Sequence, residues 1–159
     1  MGRVYSAQVN GVAATAAQDV FELLTPADLV VCVHSVFIGQ TTDAGDAEAE
    51  MLGVQIKRGS GSITSGSGGS TPSMFPHVFS DTAASCTLEA NNTTIAVVGA
   101  GALSILQAES FNVQAGWYYT PTPEERIWLS PSQYFIVTMT APADSITLNA
   151  RIVFEEIGG

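Results

Sequence analysis

Apolar and polar side chains alternate with a period of two over much of this chain, whereas helical spacing of apolar residues is scarce. The clearest alternation lies near the C-terminus, where one face collects the apolar side chains of Ile146, Leu148, Ala150, Ile152 and Phe154. Successive side chains of a β-strand point to opposite faces of a sheet. This segment is therefore predicted to be a long strand with one buried face.

Other segments carry the same alternation or a run of β-branched and aromatic residues, and they are also predicted to be strands. They span residues 3–9, 20–24, 29–38, 51–58, 84–90, 93–98, 103–113, 116–119, 127–129 and 134–140, with a break expected near Ala108. Residues 141–144 contain Pro142 and Asp144 and are predicted to form a hairpin turn into the last strand. The pattern indicates an all-β fold: a jelly-roll-like antiparallel β-sandwich that forms a single domain over residues 1–159.

Two loops interrupt the alternation. Residues 59–73 are rich in glycine and serine, which is typical of flexible coil, and they are predicted to be a surface loop of the single domain. Residues 40–50 contain four carboxylates, namely Asp43, Asp46, Glu48 and Glu50. Calcium prefers such ligands, but the spacing lacks the register of a helix–loop–helix calcium site, so a solvated acidic loop is expected.

Charge and composition exclude several classes of protein. The 159 residues include 5 Lys and Arg and 15 Asp and Glu, a formal net charge of −10, yet 46% of residues are hydrophobic, which argues against disorder. Of the five cations only Lys57 and Arg58 are adjacent, so neither nucleic acid nor an anionic membrane is an expected partner. The N-terminal segment lacks the apolar stretch of a secretory signal peptide, and no run approaches the roughly 20 apolar residues of a membrane span.

Residues that could support catalysis or bind a metal are few and scattered. Cys32 and Cys86 lie in apolar, strand-like surroundings and are expected to be buried free thiols. His34 is expected to be a hydrogen-bonded strand residue, and His77 an exposed loop residue. Residues 124–125 pair two glutamates in a solvent-exposed turn. The chain contains no nucleophile elbow of the Gly-x-Ser-x-Gly type. We therefore predict no catalytic residue, no metal site and no cofactor.

Five aromatic residues lie close together in the sequence: Phe111, Trp117, Tyr118, Tyr119 and Trp128. They either fill the core, since aromatic rings supply large buried areas, or form a contact between subunits, where Trp and Tyr are favoured. The adjacent Tyr118 and Tyr119 must point to opposite faces of a strand. At least one of these two rings is therefore expected to leave the core of its sheet.

Several segments follow one another in a recognisable order over nearly the whole chain. They are RVY (3–5), TAAQDVFE (15–22), DAGDAEAE (43–50), KRGS (57–60), EANNTT (89–94), FNVQAGWYY (111–119), PTPEER (121–126) and APAD (141–144), followed by the last strand. Together they resemble a family of small β-sandwich proteins encoded by tailed phages and prophages, which are capsid decoration (cement) proteins of jelly-roll type and often trimeric. The resemblance implies a structural role and no catalytic residues.

The expected function is that of a structural virion protein, made in the host cytoplasm, that binds the outer capsid as a homotrimer and stabilises the shell. Its expected partners are the major capsid protein and further copies of itself. One alternative is a receptor- or glycan-binding module of a phage head or tail fibre, with Trp117 or Trp128 stacking on sugars. A second alternative is a cupin-like enzyme, although that fold usually holds its metal with several histidines, and this chain has only two.

Overall fold

The computed structural model describes residues 2–42 and 50–158, and it confirms the predicted all-β fold. Over these residues the chain forms thirteen strands and one 3-10 turn at Pro123–Glu125. The strands are β1 (Arg3–Ala14), β2 (Gln18–Leu24), β3 (Val30–Gln40), β4 (Met51–Ser60), β5 (Ile63–Thr64), β6 (Met74–Pro76), β7 (Thr87–Asn92), β8 (Val97–Val98), β9 (Ala102–Asn112), β10 (Trp117–Tyr119), β11 (Ile127–Leu129), β12 (Gln133–Met139) and β13 (Ile146–Ile157). In the described part of the chain, no helix is long and apolar enough to span a membrane.

Two antiparallel sheets face each other in a sandwich-like arrangement. The six-stranded sheet, called sheet I, has the order β10-β3-β13-β1-β6, and β11 also pairs with β3. The five-stranded sheet, called sheet II, has the order β7-β2-β12-β4-β9. The short strands β5 and β8 pair with each other in a separate two-stranded sheet.

The core lies between the two sheets and is built from the alternating positions that the sequence pattern singles out. In sheet I, Tyr5 of β1 lies opposite Phe154 of β13, and their fully buried rings stack with centroids 5.7 Å apart. In sheet II, Leu52 and Ile56 face inward from β4, two strand periods apart. Burying such side chains contributes roughly 1.5–3 kcal/mol each, which makes the inter-sheet layer the main source of stability.

The hairpin predicted at residues 141–144 is wrong. β12 lies in sheet II between β2 and β4, whereas β13 lies in sheet I between β1 and β3, so the two strands never pair. The segment between them crosses from one sheet to the other, and the Glu50 carboxylate accepts a hydrogen bond there from the backbone N–H of Ala143. Proline and aspartate mark a change of chain direction, but they do not specify which sheet the next strand joins.

The expectation of coil is also wrong over part of residues 59–73. The segment contains β5, and two isolated antiparallel bridges tie Ser67 to Thr94 and Ser70 to Ala90. The strand predicted over residues 93–98 is correspondingly reduced to β8, because the residues before it bridge to this segment. The Gly/Ser segment therefore forms part of a layer outside sheet II.

β9 is continuous across Ala108, where a break was predicted. The irregularity lies nearby, because the pairing of β9 with β4 shifts register between Gln107 and Ile105, opposite Ile56 and Lys57. Leu106 is the extra residue of this bulge, which leaves the strand itself unbroken.

Candidate interaction surface

Three of the five aromatic residues singled out in the sequence belong to the core. Phe111, Trp117 and Tyr119 are all buried, and the rings of Trp117 and Tyr119 stack with centroids 6.4 Å apart. The indole N–H of Trp117 donates a hydrogen bond to Glu109 Oε2 at 2.7 Å, so the polar edge of the ring has a partner. Because Trp117 is buried, it is not available to stack on a sugar. All three rings pack in the core.

Tyr118 and Trp128 are exposed, and both lie on the outer face of sheet I. Tyr118 is 61% exposed and Trp128 is 52% exposed. Their strands, β10 and β11, pair with different parts of β3, with Tyr118 opposite Phe37 and Trp128 opposite Cys32. The predicted divergence of Tyr118 and Tyr119 is confirmed, since their burial is opposite. The two exposed rings therefore remain as candidates for contact with a partner.

A shallow groove of about 370 Å³ lies beside Tyr118 on the same face. Strand register places four side chains in one row across sheet I: Tyr118 on β10, Phe37 on β3, Arg151 on β13 and Gln8 on β1. The rings of Tyr118 and Phe37 touch, with centroids 4.7 Å apart and planes inclined by 41°. The row joins an aromatic surface, a guanidinium group and an amide, which is a composition suited to a polar ligand with one flat apolar face.

The edge of sheet II formed by β9 is a second exposed feature. Over the described residues β9 pairs with β4 on one side and with no strand of sheet II on the other. Ile105 and Leu106 on β9 are 55% and 39% exposed, and the nearby Val97 and Val98 of β8 are also exposed. An edge strand of 11 residues has one side without a neighbouring strand, and such edges pair readily with other chains.

Two carboxylates, which the sequence analysis did not single out, hold the outer layer against sheet II. The Asp19 carboxylate accepts hydrogen bonds from Thr138 Oγ1 (2.6 Å) and from the backbone N–H of Ala96 (2.5 Å). The Glu22 carboxylate accepts hydrogen bonds from Ser65 Oγ (2.5 Å) and from the backbone N–H of Gly66 (2.9 Å). Each carboxylate thus joins β2 to the segments that cover it, and these bonds compensate part of the cost of burying the charge.

Burial raises the pKa of Asp19 above its ordinary value, because desolvation disfavours the charged form. The hydrogen bonds from Thr138 and Ala96 and the charge of Lys57 oppose this rise. Lys57 is itself buried, lies on β4, and lines a groove of about 540 Å³ over sheet II. Ile95 and Ala108 also line this groove, which is mainly apolar.

The remaining polar candidates have structural environments. His34 Nε2 lies 3.0 Å from Glu155 Oε2, which confirms its prediction as a hydrogen-bonded strand residue, and His77 is exposed as predicted. Cys32 and Cys86 are free and buried, and burial raises the pKa of both thiols. Glu156, buried beside Cys86, accepts the backbone N–H of that residue at 2.8 Å.

The predicted acidic loop, residues 40–50, lies mostly outside the described part of the chain, because residues 43–49 are not described. Residues 124–125 are exposed in the 3-10 turn, as predicted. Among the residues that the structure describes, no group of three or more His, Cys, Asp or Glu side chains is placed to hold a metal ion. Comparison of the chain with protein-family models, with curated proteins and with solved structures finds no match.

Proposed function

We propose that this chain is a non-enzymatic structural protein of a phage virion, which binds the outer capsid as a homotrimer and stabilises the shell. The order along the chain of the sequence segments that resemble capsid decoration proteins supports this proposal, and so does the all-β sandwich. The major capsid protein is the proposed partner, and the capsid surface the proposed location after synthesis in the host cytoplasm. A decoration protein that binds only the assembled shell stabilises it by mass action.

The observation that carries the proposal is the exposed edge at β9. This strand has one charged residue, Glu109, in 11 residues and exposes the apolar side chains of Ile105 and Leu106. Natural sheets usually protect an exposed edge with charges, proline or a covering segment. An apolar edge with little such protection favours contact with another copy of the chain, in which the edge becomes paired and its apolar side chains are buried.

The symmetry of the assembly determines which surface β9 can contact. In a closed ring of three copies each contact joins two different surfaces, so β9 of one copy would meet another part of its neighbour. If β9 instead paired with β9 of a second copy, the contact would be two-fold and would stop at a dimer. The mass in solution therefore separates a trimer, at three times 16.6 kDa, from a dimer at twice that value.

Trp128, which is exposed on the outer face of sheet I, is the proposed contact with the capsid. Its ring supplies a large, rigid surface of the kind that dominates the energy of protein interfaces. The formal net charge of −10 disfavours binding to the packaged genome, because nucleic-acid binding depends on cations that neutralise phosphates. Each contact can be weak, because a trimer that engages three sites gains avidity.

Self-association is tested by light scattering on the purified protein. The wild type is expected at the trimer mass, and Ile105→Lys is expected to shift the population toward monomer, because it places a charge on the β9 edge. Phe75→Lys is the matched control, since Phe75 is 62% exposed but lies on β6 of sheet I. A monomeric wild type, or equal effects of the two variants, would contradict assembly through β9.

Capsid binding is tested with particles of a phage that encodes this chain. Particles lacking the protein should lose integrity at lower temperature and under milder osmotic shock, and added wild-type protein should restore them. Trp128→Ala should bind these particles more weakly while it keeps the wild-type mass in solution. If the wild type fails to bind, or the particles are equally robust without it, the proposed role is wrong.

A further inference from the structure

We propose that the groove beside Tyr118 binds a saccharide that carries a carboxylate group, such as a uronic or sialic acid unit. The groove is lined by Tyr118, Phe37, Arg151, Gln8, Asn10 and Asn149, together with the strand residues Val9 and Ala150. These residues come from four neighbouring strands of sheet I. The inference concerns binding by the isolated protein and does not rest on the proposed capsid role.

The aromatic side of the groove forms where the Phe37 ring packs closely against the backbone at Gly39. A Cβ atom placed on Gly39 would lie 2.6 Å from Cζ of Phe37, so the Phe37 ring occupies the space that a side chain would fill. Phe37 therefore lies over the strand surface at Gly39, and its ring contacts Tyr118 at 4.7 Å. Together the two rings form one wall, on which the apolar face of a sugar ring can pack.

The polar side of the groove supplies a cation and amide groups. Among the described residues, no carboxylate oxygen lies within 4.0 Å of the Arg151 guanidinium, and no aromatic ring stacks on it. Asn149 Oδ1 accepts the backbone N–H of Gly11 at 2.8 Å, which orients the amide and leaves its NH₂ group to donate. Gln8 adds a further amide that can donate and accept.

The charge pattern favours an acidic saccharide over other ligands. A planar guanidinium binds a carboxylate through two parallel hydrogen bonds, and no residue lining this groove is acidic. A nucleic acid would meet only one cation here on a chain of net charge −10, so a ligand with a single negative charge fits better than a polyanion. The volume of about 370 Å³ lies at the small end of ligand-binding clefts, which fits a short saccharide.

The test is calorimetric titration of the protein with sialyllactose and methyl glucuronide, each with a single carboxylate and each compared with a neutral counterpart, lactose and methyl glucoside. The acidic member of each pair should bind at least tenfold more tightly. Arg151→Gln should abolish that preference, and Tyr118→Ala should weaken binding of both members. Arg58→Gln and Trp128→Ala are matched controls, because Arg58 is an exposed cation on sheet II and Trp128 an exposed ring outside the groove.

Three calorimetric results would overturn the proposal: no binding of either acidic saccharide by the wild type, binding with no preference for the acidic member, or a control that acts like Arg151→Gln. Folding of each variant is checked by circular dichroism. Amide chemical shifts of the wild type on titration give a second measurement that needs no variant. They should move at Phe37, Arg151 and Asn149, and changes confined to sheet II would equally refute the site.

Discussion

Replacement of Asp19 by alanine tests how the outer layer is held against sheet II. The side chain is fully buried, and its two oxygens accept hydrogen bonds from Thr138 and from the backbone N–H of Ala96. Leaving a buried N–H without an acceptor costs about 1–3 kcal/mol, and losing the hydroxyl bond costs about 0.5–1.5 kcal/mol. Where Asp19 is protonated, Asp19→Ala should therefore lower the free energy of unfolding by about 2–4 kcal/mol.

The loss of unfolding free energy caused by Asp19→Ala should depend on pH in a defined direction. Because burial raises the pKa of Asp19, the folded protein disfavours the charged carboxylate relative to the unfolded chain. The stability that comes from keeping this group neutral is present below its ordinary pKa of 3.8 and is lost as the pH rises through the raised value. The variant lacks the group, so the loss caused by Asp19→Ala should become smaller as the pH increases.

The measurement is urea denaturation of both proteins at several values from pH 3 to pH 8, a range that includes the ordinary pKa of 3.8, followed by tryptophan fluorescence. The protein concentration is kept low, because a protein with little net charge near its isoelectric point of about 4.2 tends to associate. Asp28→Ala is the control, because Asp28 is exposed and its loss should have a small effect at every pH. A destabilisation by Asp19→Ala that grows with pH would refute the reasoning, since it would mean that the fold favours the charged form.

Three further changes probe other parts of the fold. Phe154→Ala removes a fully buried ring and should cost about 3–5 kcal/mol in urea denaturation, and a loss below 1 kcal/mol would contradict its place in the core. Gly69→Ala should be destabilising by about 1–3 kcal/mol, because its Cβ would lie 2.2 Å from the carbonyl oxygen of Ala90; wild-type stability would show that this segment lies elsewhere. Cys32 and Cys86 should resist a thiol reagent at pH 8 until urea is added, since burial raises the pKa of both; rapid native labelling would argue against burial.

Alternation along the chain was enough to predict most of the longer strands and the inward face of β13. Ile152 and Phe154 are buried as predicted, because a period of two is a local property of the extended backbone. The same phase continues to Glu156, which is buried beside Phe154. A carboxylate at an inward position was therefore visible in the sequence, although the sequence analysis did not single it out.

The assignment of strands to sheets was not determined by local pattern. Pro142 and Asp144 predicted a hairpin, but β12 and β13 belong to different sheets. Their hydrogen-bonding partners, β2 and β4 for one and β1 and β3 for the other, lie far away in the sequence. Local turn chemistry bends the chain, whereas the choice of partner depends on contacts that form only when distant strands meet.

The Gly/Ser segment, residues 59–73, is a second case in which local sequence did not specify the contacts that fix the backbone. Its composition predicted coil, because glycine and serine side chains carry little information about packing. The acceptor that fixes its backbone is the Glu22 carboxylate on β2, more than forty residues earlier in the chain. The absence of a side chain at Gly69 then permits a close approach to β7.

The sequence by itself determined that this protein is all β and that Tyr118 and Tyr119 point to opposite faces. Only the tertiary structure decided which ring is exposed, because that depends on the position of the second sheet. The tertiary structure also created the groove beside Tyr118. Its row of side chains brings together Gln8, Phe37 and Arg151 from strands separated by up to about 140 residues. Local backbone geometry sets the face of each side chain, but strand register across the whole chain sets its neighbours.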